Sequence, residues 1–270
     1  LGSEVTLIDS HDRLLSYLDE DIVSRLIEDF SDMNIALRMS TRIGRIERTD
    51  DAVTVHTENG DVWHADALLY ALGREPNYDP LELHRAGLVA DDNGWVRINE
   101  YHQTSQPHIY IVGDLAGRPS LASTAMEQGR LAAHHAFQAD VLTSASCLPM
   151  AIYTIPEVSC VGETERELQK RGADYVAGYG LYAETARGRI IGSEHGLLKL
   201  LVDRASRSIL GVHIIGPRAG DLIAEAGLAL EMGAVASDLG WTIHAHPTLA
   251  EAVMEAANAA LGHAVHALNR

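Results

Sequence analysis

Thr104-Ser105-Gln106-Pro107-His108-Ile109-Tyr110-Ile111-Val112-Gly113-Asp114 reads as an irregular lead-in, an apolar strand over His108–Val112, and an abrupt stop at Gly113-Asp114. A glycine at a strand end lets a ligand approach the backbone closely, and the carboxylate beside it can bind a polyol hydroxyl. The spacing that follows predicts a helix from about Leu121 to Phe137, so the stretch is a strand, a tight turn and a helix.

Upstream, Val5 to Ile8 is a short apolar strand ending at Asp9, and Ile22, Leu26, Ile27, Phe30 and Met33 recur at helical spacing. Strands are expected at Ile35–Leu37, Arg42–Arg48, Ala52–Thr57 and Val62–His64, the last two joined as a hairpin by Asn59-Gly60. A buried strand is expected over Ala67–Ala71. It leads into Gly73-Arg74-Glu75-Pro76-Asn77, where Gly and Pro end regular structure and a domain boundary is placed.

Downstream, a linker is expected near Ser144, and from Pro149 the pattern turns to strands without intervening helices. These are Ala151–Thr154, Val158–Val161, Tyr175–Leu181, Arg189–Ser193, Leu197–Val202 and Ile209–Ile215. A helix should follow Gly216-Pro217, burying Ala219, Leu222, Ile223, Ala226 and Leu230, and another should begin near Thr248. The expected fold class is therefore α/β followed by α+β, over residues 1–77, 78–144 and 145–270.

Bulk properties narrow the function. The 270 residues are 46% apolar, enough for two or more cores. A formal net charge of −17 argues against a nucleic-acid or anionic-membrane surface, which needs clustered cations. No apolar run approaches the ~20 residues of a membrane span, and the first residues lack the features of a signal peptide, so the expected location is the cytoplasm. Cys147 and Cys160 form no recognisable pair and are read as reduced thiols.

Asp9, at the end of a strand, is where a dinucleotide-binding fold places a carboxylate on the adenosine ribose; Arg13, four residues on, could pair with the extra phosphate of NADP. A plain turn, with Asp9 capping local backbone, is the competing reading. In such a fold the first strand and its glycine-rich turn sit mid-sheet, whereas this sequence opens just before the second strand. A longer parent chain is the expectation. Near the other end stands His244-Ala245-His246-Pro247-Thr248-Leu249-Ala250-Glu251. An imidazole oriented by a carboxylate suits general acid-base chemistry. Thr248-x-x-Glu251 is also a capping box, and the His-x-His spacing could hold a metal but has no obvious third ligand.

With its whole strand, 104–114 resembles the second FAD motif of the pyridine nucleotide-disulfide oxidoreductase family. The likeness continues through Ser120-Leu121-Ala122-Ser123 and Glu127-Gln128-Gly129-Arg130 and covers essentially the whole chain. It implies a partial NAD(P)-binding domain, the C-terminal part of an FAD domain, and a dimerisation domain. Its implied cofactors are FAD, at Gly113, Asp114, Leu121 and Ala122, and NAD(P), at Asp9 and Arg13, with Gly73 a further cofactor-binding candidate. His246 and Glu251 are similar to the family's catalytic His-Glu pair, which faces the flavin of the other subunit, so a homodimer through residues 145–270 is implied.

Two parts of the sequence point to different members. YHQTSQPHIYIVGDLAGRPSLASTAMEQGRLAA (101–133) and ARGRIIGSEHGLLKLLVD (186–203) look most like soluble pyridine nucleotide transhydrogenases, which interconvert NADH and NADP. The transhydrogenase reading leads. HAHPTLAEAVMEAANAALGHAVH (244–266) looks more like dihydrolipoyl dehydrogenase, since the transhydrogenases typically carry Tyr at His246. The third alternative is a non-catalytic dimerisation fragment.

Overall fold

The computed structural model describes residues 2–117, 119–139, 147–193 and 195–266. The chain forms two compact units, one of Leu1–Leu69 with Cys147–Arg270 and one of Tyr70–Ser146. The linker expected near Ser144 lies outside the described residues.

The first unit begins with β1 (Val5–Ile8), α1 (Glu20–Asp32) and β2 (Ile35–Arg38), with β1 and β2 paired in parallel. Asp19 caps α1, and Ile22, Val23, Leu26 and Phe30 form its buried stripe. At about 1.5–3 kcal/mol per buried apolar side chain, that stripe outweighs the weak propensity of a helix with charged ends. An antiparallel sheet of β3 (Ile43–Arg48), β4 (Val53–Thr57) and β5 (Val62–Ala65) follows, and Gly60 takes the positive φ of +95° that its last turn requires.

The strand expected over Ala67–Ala71 does not form. Leu69 is 90% exposed and Tyr70 69%, and neither belongs to a strand. A buried parallel strand exists only between partners, and among the described residues the parallel sheet consists of β1 and β2 alone.

The second part of this unit is a five-stranded antiparallel sheet. Its strands are β6 (Met150–Ile152), β7 (Val158–Gly162), β8 (Tyr175–Leu181), β9 (Leu197–Asp203) and β10 (Ile209–Ile215), in the order β6-β7-β10-β9-β8. Helices do intervene between these strands, against the sequence expectation. Thr164 and Glu167 form a capping box that starts α3 (Glu165–Lys170). Arg189–Ser193 is not a strand: Thr185 accepts from Gly188 N–H and opens α4 (Ala186–Ile190). Only glycine fits at 188, where a Cβ would lie 1.9 Å from Tyr182 O.

Helices α5 (Ala219–Glu231), α6 (Ala236–Trp241) and α7 (Glu251–Leu261) complete the unit; α6 has no counterpart in the sequence reading. Leu198, Leu200, Val202, Val212 and Ile214 share a core with Ala219, Ile223, Ala226, Ala252 and Ala256, whereas Leu197, Ile215 and Val158 pack with α1. A sheet covered on both faces explains the nearly unbroken apolar run of β9. At β8 the α7 backbone comes so close that a Cβ on Gly180 would lie 2.2 Å from Ala252 O. Gly180→Val is expected to cost about 3 kcal/mol by overpacking, read as a lower denaturant midpoint.

In the second unit, Tyr78, Leu88, Val96 and Ile111 form a small core. The strand expected over His108–Val112 is reduced to one bridge, Gln103 to Tyr110, because no neighbouring strand among the described residues offers a ladder. A short 3-10 turn occupies Gly113–Ala116, and α2 (Ala122–Ala136) runs between Leu121 and Phe137 as its caps.

Candidate active site

Gly113 has φ +71°, and its N–H donates to Gln128 Oε1 at 2.7 Å, tying the turn to α2. Asp114 is exposed, with Arg74 Nε 3.7 Å from its Oδ2. Gly73, at φ +116°, has open space where a Cβ would stand and brings its neighbour Arg74 to Asp114. Leu121 caps α2 without a side-chain hydrogen bond, and the first turn from Ala122 contains no acidic residue. Bare N–H groups at a helix start favour electron-rich oxygen or nitrogen. Together, the open glycine turn, the available carboxylate and the uncapped helix start fit a group with both hydroxyls and an electron-rich ring.

Asp9 Oδ1 accepts from His11 N at 2.9 Å and lies 2.7 Å from His11 Nδ1. The His11 backbone N–H is the main reason its carboxyl sits below the usual range, with the imidazole adding to it against a modest burial effect. The local cap anticipated from sequence is therefore present, and it leaves Oδ2 without a hydrogen bond among the described residues. Arg13 approaches Glu20 at 3.9 Å and makes no ion pair with Asp9.

At the C-terminal end, His246 Nδ1 lies 2.8 Å from Glu251 Oε1, while Thr248 N–H donates to Glu251 Oε2 at 2.8 Å. Half of the capping box is thus made; Thr248 Oγ1 instead donates to Ala245 O, and Ala250 is the residue that caps α7. Burial tends to raise the Glu251 carboxyl, but the Thr248 N–H, His246 and His244 outweigh it and hold it below its usual range. With Nδ1 held by an ionised carboxylate, the His246 side chain is 69% exposed, and its Nε2 makes no hydrogen bond among the described residues. His244 is engaged elsewhere, facing Thr242 O with Nδ1 and Glu225 Oε1 with Nε2, each at 2.9 Å. The two histidines thus have separate partners.

The sequence reading missed a buried cluster. Lys199 is fully enclosed, its Nζ 2.8 Å from Asp19 Oδ1, 2.7 Å from Asp21 Oδ2 and 2.5 Å from Glu165 Oε2. These carboxylates are the only grouping with metal-ligand spacing among the described residues, and the ammonium fills it. The signal was a lone Lys inside Leu197–Val202. Beside Lys199 on β10, buried His213 donates from Nε2 to Glu163 O and leaves Nδ1 without a partner. Burial depresses its pKa, the Lys199 charge adding to the effect and Asp19 opposing it. The unfolded chain therefore binds this proton first, and stability is lost as pH falls through about 6.5 toward the folded value. His213→Gln is expected to flatten the fall of the thermal midpoint between about pH 6.5 and 5.

Residues 1–129 match the family described as pyridine nucleotide-disulphide oxidoreductase, and residues 148–257 match that family's dimerisation domain. A dihydrolipoyl dehydrogenase of Haloferax volcanii is 36% identical over 275 residues, covering 100% of this chain and 58% of its own. The chain belongs to the pyridine nucleotide-disulphide oxidoreductases. A soluble pyridine nucleotide transhydrogenase of Vibrio atlanticus is 40% identical over 261 residues, covering 95% of this chain and 56% of its own. Among solved structures, LpdA from Mycobacterium tuberculosis superposes with a TM-score of 0.87 at 26% identity, over 95% of this chain and 56% of that one. This family member spans a little over half the length of the curated relatives it matches.

Proposed function

We propose that this chain is the C-terminal part of a homodimeric, FAD-dependent oxidoreductase that exchanges hydride with NAD(P) and oxidises a dithiol, as a dihydrolipoyl dehydrogenase does. The observation that carries this reading is the 2.8 Å His246–Glu251 pair with its exposed imidazole. Oxidation of a dithiol by NAD+ gives a disulfide, NADH and a proton, so a group must take up thiol protons near neutral pH. His246 Nε2 is assigned that task. Glu251 holds the ring orientation and balances the charge it gains.

Gly113, Asp114, Leu121 and Ala122 would hold FAD, which supplies a two-electron relay between thiols and nicotinamide. Asp9 would bind the adenosine ribose, with Arg13 near the position of a 2′-phosphate and Gly73 close to the cofactor-binding turn. The division into residues 1–77, 78–144 and 145–270 belongs to this reading, as does a dimer through the last part. Exposed apolar Leu228, Met232, Trp241 and Ile243 support that interface. The net charge of −17 supports the absence of a nucleic-acid partner. None of the described helices is long and apolar enough to cross a membrane, and the cytoplasm is the proposed location.

A second reading, soluble transhydrogenase, is supported by the 40% identity to the Vibrio atlanticus enzyme and by the resemblance of residues 101–133 and 186–203. One assay separates the two. The purified full-length flavoenzyme is given dihydrolipoamide with NAD+, and separately NADH with an NADP analogue. Turnover of the dithiol is the expected result; hydride exchange without dithiol turnover would move the assignment to transhydrogenase.

A further inference from the structure

Lys199 stands on β9, between β10 and β8 of the five-stranded sheet, yet two of its three carboxylate partners, Asp19 and Asp21, belong to the start of α1. The third, Glu165, is the first residue of α3, and its N–H also donates to Asp19 Oδ2 at 3.1 Å. Two tyrosines of β8 close the network: Tyr179 donates to Asp21 Oδ2 at 2.9 Å and Tyr175 to Glu165 Oε1 at 2.6 Å. Apolar side chains of similar volume in place of the whole cluster, carboxylates included, would cost no more in stability than the buried ions do. What the ammonium adds is direction, because three acceptors from two helices must converge on one nitrogen.

The consequence reaches the strand assigned to the nicotinamide nucleotide. Residues 10–18, which carry Arg13, connect Asp9 to Asp19. The first end is tied to β2, Asp9 N–H donating to Arg38 O at 3.0 Å and Thr41 N–H to Asp9 O at 2.9 Å. The second end is tied by Lys199. We propose that Lys199 is a positioning residue for nucleotide recognition, an anchor that holds the Asp9–Asp19 loop in its binding shape from within the interface sheet. This rests on the reading that residues 1–77 bind NAD(P).

The test uses the full-length flavoenzyme carrying Lys199→Met together with Asp19→Asn, so that Asp19 is not left as an uncompensated buried charge and the helix cap is kept. Calorimetric titration with NADH and NADPH is expected to show about tenfold weaker binding, as when roughly one further residue must be ordered on binding. Flavin absorbance should be unchanged, and amide exchange should quicken across residues 10–32. Affinity within about twofold of the parent in the folded variant overturns the proposal, as does weaker binding with unchanged exchange. Should the double variant fail to fold, Asp21→Asn with Tyr179→Phe removes two contacts without burying a charge, and the same criteria apply. If the parent protein binds neither nucleotide, it is the NAD(P) reading that fails, and unchanged exchange in the variant still refutes the anchor.

Discussion

His246→Ala in the full-length flavoenzyme is expected to slow dithiol oxidation by NAD+ about 10²- to 10⁴-fold, the range for loss of a positioned acid-base group. Flavin content and nucleotide affinity should stay as they are, because His246 belongs to the loop before α7 and its hydrogen bond goes to Glu251. Hydride exchange between two nicotinamide nucleotides involves no thiol proton and should also persist. Glu251→Gln should give a smaller loss, since the amide oxygen can still orient the ring while the compensating charge is gone. Steady-state rates with dihydrolipoamide at several pH values check both variants. Full dithiol activity in His246→Ala would refute the acid-base assignment.

Lys199→Met alone is expected to destabilise the protein by about 3–5 kcal/mol, the usual cost of removing one partner of a buried ion pair. Asp19 would remain enclosed with only the Glu165 N–H and its own helix to compensate it. The sign of the pH dependence follows from the two shifts. For Asp19, burial opposes ionisation, but the Lys199 ammonium and neighbouring donors win, and its folded pKa is lowered. Its contribution is present above the unfolded value of about 3.9 and lost as pH falls through the folded one. For Lys199, burial is outweighed by the three carboxylates and the pKa is raised. That contribution is whole below about 10.4 and lost only as pH rises past the folded value. The stability gap between parent and variant should therefore be flat from about pH 5 to 9 and narrow in acid. Denaturant unfolding across that range checks this, and a gap under about 1 kcal/mol at pH 7 would contradict a buried, paired charge.

Much of this protein is legible in its sequence. The periodicity of Ile22, Leu26 and Phe30 predicts α1, the apolar runs Leu197–Val202 and Ile209–Ile215 predict β9 and β10, and His246 with Glu251 could be picked out as a pair five residues apart. Each depends on local spacing, which a chain states directly. Thr164-x-x-Glu167 was just as readable as the box at Thr248, and applying the same rule there would have found α3.

Other features depend on partners far along the chain. Ala67–Ala71 has the apolar content of a buried strand, but a strand is a property of a pair, and its residues stand exposed without one. Residues 108–112 fall short for the same reason. At Gly188 only glycine fits because Tyr182 O, six residues back, occupies the space a side chain would need. The pairing of His244 with Glu225, 19 residues apart on different elements, left no local mark. Lys199 is the clearest case: sequence shows a lone charge in an apolar strand, which alone reads as a defect. Only the tertiary fold brings three carboxylates, 34 to 180 residues away, within 2.8 Å of it. Local spacing thus determined α1, α2, α5 and α7, most of the strands and the nearness of His246 to Glu251, because those signals lie within a few residues of one another. Which strands find partners and which buried charges are compensated was decided in three dimensions, because burial and charge pairing depend on groups brought together only by folding.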